Sequence, residues 1–278
     1  MRYWILVVFA SVLVVPTVSR AQTEGDLYKA ARSNFRQHRY AKAIPLLQRV
    51  LKADPRHHSA QALLAHCYRR TGKNEQAIAL YKTVLRIYPR RVDLWDNLGV
   101  CAFRMRHYNE AVRAFQKVLV SQPKNWSAYR SVYLAYKMQK KYKQAVAILL
   151  RALAVAPKNP EFLSELGSLY ARMKQFRKAM TYHRRAVALA PKNAEFRYRL
   201  GVALRRARLY KEAIAVYTRV IALDSRFVPA YSELATLLAY VGRKAEAVRV
   251  YRTYLRFIEK RHPAEAAWVK KRIQELSR

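Results

Sequence analysis

Apolar positions along the chain follow a helical step, stop, and start again. Trp95, Leu98, Gly99, Ala102 and Phe103 keep the i, i+3, i+4 spacing of one amphipathic helix. Ala111, Phe115 and Val118 mark a second, and Pro123-Lys124-Asn125 ends it and turns the chain. This block is written seven times. Ala43, Ala77, Ala111, Ala145, Ala179, Ala213 and Ala247 stand 34 residues apart. Pro55, Pro89, Pro123, Pro157 and Pro191 keep the same step, as do Tyr40, Tyr108, Tyr142, Phe176 and Tyr210. The units therefore run 24–57, 58–91, 92–125, 126–159, 160–193, 194–227 and 228–261, with no insertion. A small residue where two helices cross lets their backbones approach, and the aromatic that follows fills the wedge. One such pair cannot bury its own apolar face, so neighbours must stack into a continuous core. After His262-Pro263, the positions Ala266, Val269, Ile273 and Leu276 share one face and predict a closing helix within 262–278.

Trp95, Leu98, Gly99, Tyr108, Ala111, Phe115 and Pro123 stand at the characteristic positions of the tetratricopeptide repeat family, which the chain resembles from residue 24 to 261. The departures fall mostly at the ends, where atypical repeats are expected. Ala30 and Ala31 replace Leu and Gly in the first unit, Ser225 replaces Pro in the sixth, and Lys244, Tyr254 and Glu259 break three signature positions of the seventh. The resemblance implies an all-α, right-handed α-solenoid of seven repeats with a C-terminal capping helix, acting in protein–protein interaction. It also implies that first-helix residues line a concave groove. The positions so carried over are Tyr28, Arg32, Phe35, His66, Arg69, Phe103, Arg130, Lys137, Tyr198, Arg199 and Arg205, with Asp93 and Asp96 as a local acidic spot. Aromatic and Arg side chains are favoured binding anchors and suit a protein segment. Family members that clamp an acidic peptide C-terminus use a Lys and an Asn four residues later. Tyr28 and Arg32, or Asp96 and Val100, do not match that pair.

The N-terminus reads as an export signal. Met1-Arg2 is a short positive start, Tyr3 to Val15 is almost wholly apolar, and Pro16 ends the run. Val18-Ser19-Arg20-Ala21 places small residues three before and one before a cut after Ala21. The apolar run is shorter than the roughly 20 residues of a membrane-spanning helix. A Sec-type signal (1–21) and a periplasmic or secreted mature chain with no transmembrane segment are expected.

Charge changes the picture next. The 278 residues carry 55 Lys and Arg against 17 Asp and Glu, a net charge of +38, and the excess is spread over every unit. It is also in register. Arg36, Arg70, Arg104, Arg172 and Arg206 recur near the end of the first helix, and Arg106, Lys140, Lys174 and Arg208 recur two residues on, at the turn. The family often has a basic residue in the first column but usually Gly in the second. Stacked units would align both columns into a double basic stripe. So basic a surface is not needed for the fold and costs self-repulsion.

Catalytic patterns are missing. There is no phosphate-cradling glycine loop, H-E-x-x-H, G-x-S-x-G or cysteine pair at metal spacing, so no enzyme, cofactor or metal site is expected. His57-His58 reads as a solvated turn, and His183 as a partly buried core residue where other units carry Tyr, Phe or Leu. Cys67 and Cys101, one period apart, read as core thiols rather than a disulfide. The expected function is a non-catalytic scaffold of the bacterial cell envelope, holding a protein partner with acidic segments, in outer-membrane assembly, secretion, pilus biogenesis or polysaccharide export. The alternative is an anionic polymer or lipid (acidic polysaccharide or lipopolysaccharide) on the basic stripe. Nucleic acid is set aside because of the export signal.

Overall fold

The computed structural model describes residues 23–278, and the export pattern of Met1–Ala21 lies outside them. Each repeat folds as two helices. These are α1 (Glu24–Arg36) and α2 (Tyr40–Ala53), α3 (His58–Arg70) and α4 (Asn74–Ile87), α5 (Val92–Arg104) and α6 (Tyr108–Ser121), and α7 (Trp126–Met138) and α8 (Tyr142–Val155). They continue as α9 (Pro160–Arg172) and α10 (Phe176–Leu189), α11 (Ala194–Arg206) and α12 (Tyr210–Leu223), α13 (Val228–Tyr240) and α14 (Lys244–Ile258), closed by α15 (Pro263–Ser277). The described residues contain no strand. They form two bodies, one through Pro89 holding α1–α4 and one from Arg90 to Arg278 holding α5–α15. Within each body consecutive helices pack on one another, and in the second α9 also touches α11.

Local chemistry sets the helix ends. In the Pro-Lys-Asn runs, the side chains of Asn125, Asn159 and Asn193 each accept a hydrogen bond of 3.0 Å from the backbone N–H three residues on. His57 does the same for α3 through Nδ1, at 3.2 Å from the Ala60 N–H, so it is a cap rather than a solvated turn residue. Every first helix ends in a left-handed residue: His38, Gly72, Arg106, Lys140, Lys174, Arg208 and Gly242, with φ from 59° to 83°. The N–H of Arg106 bonds the Phe103 carbonyl at 3.0 Å and that of His107 bonds Ala102 at 2.8 Å, the paired pattern that satisfies the last carbonyls of a helix.

The core follows a rule of sizes. The seven alanines of the 34-residue series are all fully buried. Four residues after each comes a buried Leu47, Tyr81, Phe115, Leu149, His183, Tyr217 or Tyr251. At the crossing position of the first helix stand Ala31, Ala65, Gly99, Tyr133, Gly167, Gly201 and Ala235. A large residue in the second helix thus meets a small one in the first, except in the fourth unit, where the first helix carries Tyr133 and the second Leu149. Burying one Leu or Phe here stabilises by about 1.5–3 kcal/mol.

The closing helix explains the seventh unit's departures. Ala266 and Val269 are buried, while Ile273 and Leu276 are half-buried. The Tyr254 hydroxyl donates to Glu265, and Lys270 lies 2.6 Å from Glu259. Two residues that break the repeat pattern are therefore the ones that fasten α15.

Candidate functional site

The core uses the crossing positions of each first helix, which leaves the neighbouring positions on the opposite side for solvent or a ligand. The residues expected in the groove divide between the two bodies.

In the first body they form aromatic contacts. Tyr28 lies 4.7 Å from the His57 ring, with the Arg32 guanidinium 5.8 Å from its centroid. Phe35 sits 6.2 Å from His66, whose Nδ1 is 3.0 Å from the Tyr81 hydroxyl. Arg69 is half-buried.

In the second body the first helices carry three linked concavities. A small apolar one of about 150 Å³ lies between α5 and α7, lined by Val100, Phe103, Arg104, Phe115, Ser131 and Leu134. Leu134 also borders a second, of about 310 Å³, where Arg130 and Tyr133 of α7 meet Glu161 and Glu165 of α9 and Phe196 and Arg199 of α11. Arg199 in turn borders the largest, a cleft of about 640 Å³ between α9 and α11. Tyr198, Val202, Arg205, Phe176 and His183 line it, together with Arg172, Lys174 and Arg206 of the basic columns. The groove and the stripe, distinct in the sequence pattern, meet in this cleft.

Four carboxylates that the sequence pattern did not single out reorganise the charge. Glu165 accepts from Tyr133 and Arg199 and lies 3.2 Å from Lys137. Burial raises its pKa, but those two hydrogen bonds and the Lys137 and Arg199 charges outweigh it and hold the carboxyl below its ordinary value. Burial, and then the bond to Glu165, push the Tyr133 phenol up. Arg199 also holds Glu195 at 2.7 Å, and Arg205 holds Glu233 at 2.7 Å. Glu161 completes the acidic set at the edge of the middle concavity. Lys137, Arg199 and Arg205 are therefore committed to internal ion pairs. The pairs Lys137–Glu165 and Arg205–Glu233 use the same two register positions of successive units, a signal visible in the sequence. Asp93 is likewise held by Arg91 at 2.7 Å.

All nine residues of the basic columns are exposed. Arg36 and Arg70 belong to the first body, where Arg70 lies 5.1 Å over the Tyr40 ring. Arg104, Arg106, Lys140, Arg172, Lys174, Arg206 and Arg208 belong to the second. Arg106, Lys140, Lys174 and Arg208 hold φ near +60°, a conformation that costs a non-glycine residue roughly 1 kcal/mol or more.

His183 is more deeply buried than expected, at 2% exposure, and its Nδ1 finds no hydrogen-bond partner among the described residues. Burial, reinforced by the Arg199 charge and opposed by Glu165, lowers its pKa to about 4, so the ring is neutral at pH 7. Cys67 and Cys101 are buried thiols, and burial raises the Cys67 pKa to about 11. Groups of three or more His, Cys, Asp or Glu that could hold a metal ion are absent among the described residues.

Comparison with known proteins places this arrangement. Residues 19–118 match the family model described as anaphase-promoting complex, cyclosome, subunit 3, and residues 97–160 and 164–226 match a tetratricopeptide repeat model. No curated protein matches significantly. Among solved structures, the C-terminal part of a TPR repeat-containing protein from Cytophaga hutchinsonii is similar at 15% identity and a TM-score of 0.73, over 85% of this chain and 97% of that one. YrrB, described as a TPR protein with an unusual peptide-binding site, is 20% identical with a TM-score of 0.55, over 69% of this chain and 97% of its own. MamA from Desulfovibrio magneticus is 24% identical with a TM-score of 0.53, over 61% and 96%. With the repeat register and the helix pairs, these matches establish that the chain belongs to the tetratricopeptide repeat family.

Proposed function

We propose that this protein is a non-catalytic scaffold of the bacterial cell envelope that holds a protein segment along the first helices of its second body. The observation that carries the reading is the linked run of three concavities over α5, α7, α9 and α11, whose walls alternate apolar, aromatic and Arg side chains. Such mixed surfaces are typical anchors for peptide segments. The peptide-binding description of YrrB, which shares the fold, points the same way. The envelope part rests on the export pattern of Met1–Ala21. No helix among the described residues is long and apolar enough to cross a membrane. Outer-membrane assembly, secretion, pilus biogenesis and polysaccharide export are the processes such a scaffold would serve.

The test has two parts. Mass spectrometry of the protein recovered from its native cells should find a chain beginning at Gln22 in the envelope or medium; an uncut chain in the cytoplasm contradicts the placement. Capture from envelope extract should enrich a protein that the groove variant Tyr198→Ala/Val202→Glu fails to hold. Equal recovery on both contradicts the groove.

One observation favours a second reading, in which an acidic polysaccharide, lipopolysaccharide or anionic lipid binds the turn column. Arg106, Lys140, Lys174 and Arg208 keep charge where glycine would sit without strain. Such binding must weaken steeply with salt. Charge reversal of all four residues should abolish it.

A further inference from the structure

We infer that the α9–α11 cleft is the subsite for acidic side chains of the bound segment, and that an apolar side chain of the same segment sits in the α5–α7 pocket. This rests on the groove reading above and gives the segment a composition and a direction.

The argument starts from which cations are already neutralised. Arg199 and Arg205 line the cleft, but Glu165, Glu195 and Glu233 occupy them at 2.7–3.0 Å. Arg172, Lys174 and Arg206 line the same cleft, are exposed, and form no ion pair among the described residues. Three cations in one concavity repel one another, so an incoming anion relieves a standing cost. Two are arginines, whose planar fork matches a carboxylate with two parallel hydrogen bonds.

The cleft is not purely electrostatic. Phe176, Tyr198 and Val202 form its apolar part, which suits the methylenes and flanking side chains of a peptide. The far end of the run is apolar, with Val100, Phe103, Phe115 and Leu134 around about 150 Å³, room for one aliphatic or aromatic side chain. Between them, Glu165 is neutralised by Lys137 and Arg199, and Arg130 faces Glu161 across the middle concavity, so no excess of cations favours a second acidic cluster there. A polysaccharide has charge at regular intervals and no apolar anchor, so it matches one end only. A peptide with an apolar residue towards α5 and acidic residues towards α11 matches both.

The probe is a random-peptide display library, selected on the purified protein, on Arg172→Glu/Arg206→Glu and on Leu134→Asp, each checked for folding by circular dichroism. Selection on the parent should enrich Asp and Glu at one end and an apolar residue at the other. Charge reversal should weaken the best parent peptide by about tenfold or more while Lys- or Arg-bearing peptides gain. Leu134→Asp should remove the apolar preference and leave the acidic one. Peptides that are enriched without acids, or that bind the charge-reversed protein equally well, overturn the acidic subsite but leave the groove standing. No enrichment on any of the proteins overturns both. Displacement of the peptides by dextran sulfate, with peptides lacking an apolar residue selected as often, overturns the inference in favour of an anionic polymer.

Discussion

The imidazole of His183 lies against Gly167 so closely that a Cβ on the glycine would come within 2.7 Å of three ring atoms, Cδ2, Cε1 and Nε2. This is the large-against-small rule of the core with a titratable group in the large position. Phe115 over Gly99 and Tyr217 over Gly201 show the same approach without a group that gains charge between pH 4 and 7.

Gly167→Ala should therefore destabilise the protein, although Ala normally favours a helix by about 1 kcal/mol over Gly. The ring is enclosed and cannot retreat cheaply, so overpacking of about 1–3 kcal/mol outweighs that gain. Chemical denaturation reads the sign. Gly25→Ala is the control, since its nearest neighbour is the Thr23 hydroxyl at an ordinary 3.8 Å. Stabilisation by Gly167→Ala would show that the ring moves freely.

The same contact predicts a pH dependence. The folded state holds His183 neutral down to about pH 4, whereas the unfolded chain protonates it near 6.5. Between those values the unfolded state binds more protons, so stability falls as pH falls and the loss is complete near pH 4. From 2.5 pH units the full effect is roughly 3 kcal/mol. Glu165, depressed below its ordinary 4.5, begins to lose its own contribution only as pH falls through about 4.5, at the acid end of this window. His183→Phe, the residue the third unit carries at this position, should flatten the decline between pH 6.5 and 4 in a series of urea titrations. An unchanged slope would assign the dependence to other groups.

The repeat length, the helix pairs, the burial of the alanine series and the closing helix were legible because each is a local pattern multiplied by stacking. The basic columns were legible for the same reason. Neither the pairing of Lys137, Arg199 and Arg205 with Glu165, Glu195 and Glu233 nor its consequence for the groove was read, because most of it joins different repeats. A register comparison would have exposed Lys137–Glu165 and Arg205–Glu233, each 28 residues apart, but not Arg199, which bonds back to Glu165. The strain of the turn column was partly legible, because Gly72 and Gly242 stand at the same register position as Arg106, Lys140, Lys174 and Arg208 and mark a turn that needs φ above zero.

Glu165→Gln tests the internal neutralisation. It leaves Tyr133, Lys137 and Arg199 without their shared carboxylate in a half-buried site, a cost of about 1–3 kcal/mol in urea titration. It also removes a negative charge beside the cleft and leaves Arg199 held by Glu195 alone, so an acidic peptide selected on the parent should bind a few-fold tighter in fluorescence polarisation. Weaker binding would mean that Glu165 positions Arg199 for the ligand.

Arg106→Gly and Lys140→Gly should each stabilise the protein. Relief at φ near +60° is worth about 1 kcal/mol, and the greater freedom of glycine in the unfolded chain takes back part of it. The melting temperature should rise by a few degrees for the pair. A fall would show that these side chains make stabilising contacts at the turn.

The central claim is that the second body holds a protein segment, and retention on envelope fractions across a salt series tests it most directly. Three immobilised proteins are compared: the parent, the cleft variant Tyr198→Ala/Val202→Glu, and the turn variant Arg106→Gly/Lys140→Gly/Arg208→Gly, with eluates assayed for protein, carbohydrate and lipid. The account predicts one protein retained at high salt by the parent and the turn variant and lost by the cleft variant. Release of carbohydrate or lipid alone at modest salt, abolished by the turn variant and unaffected by the cleft variant, would contradict it.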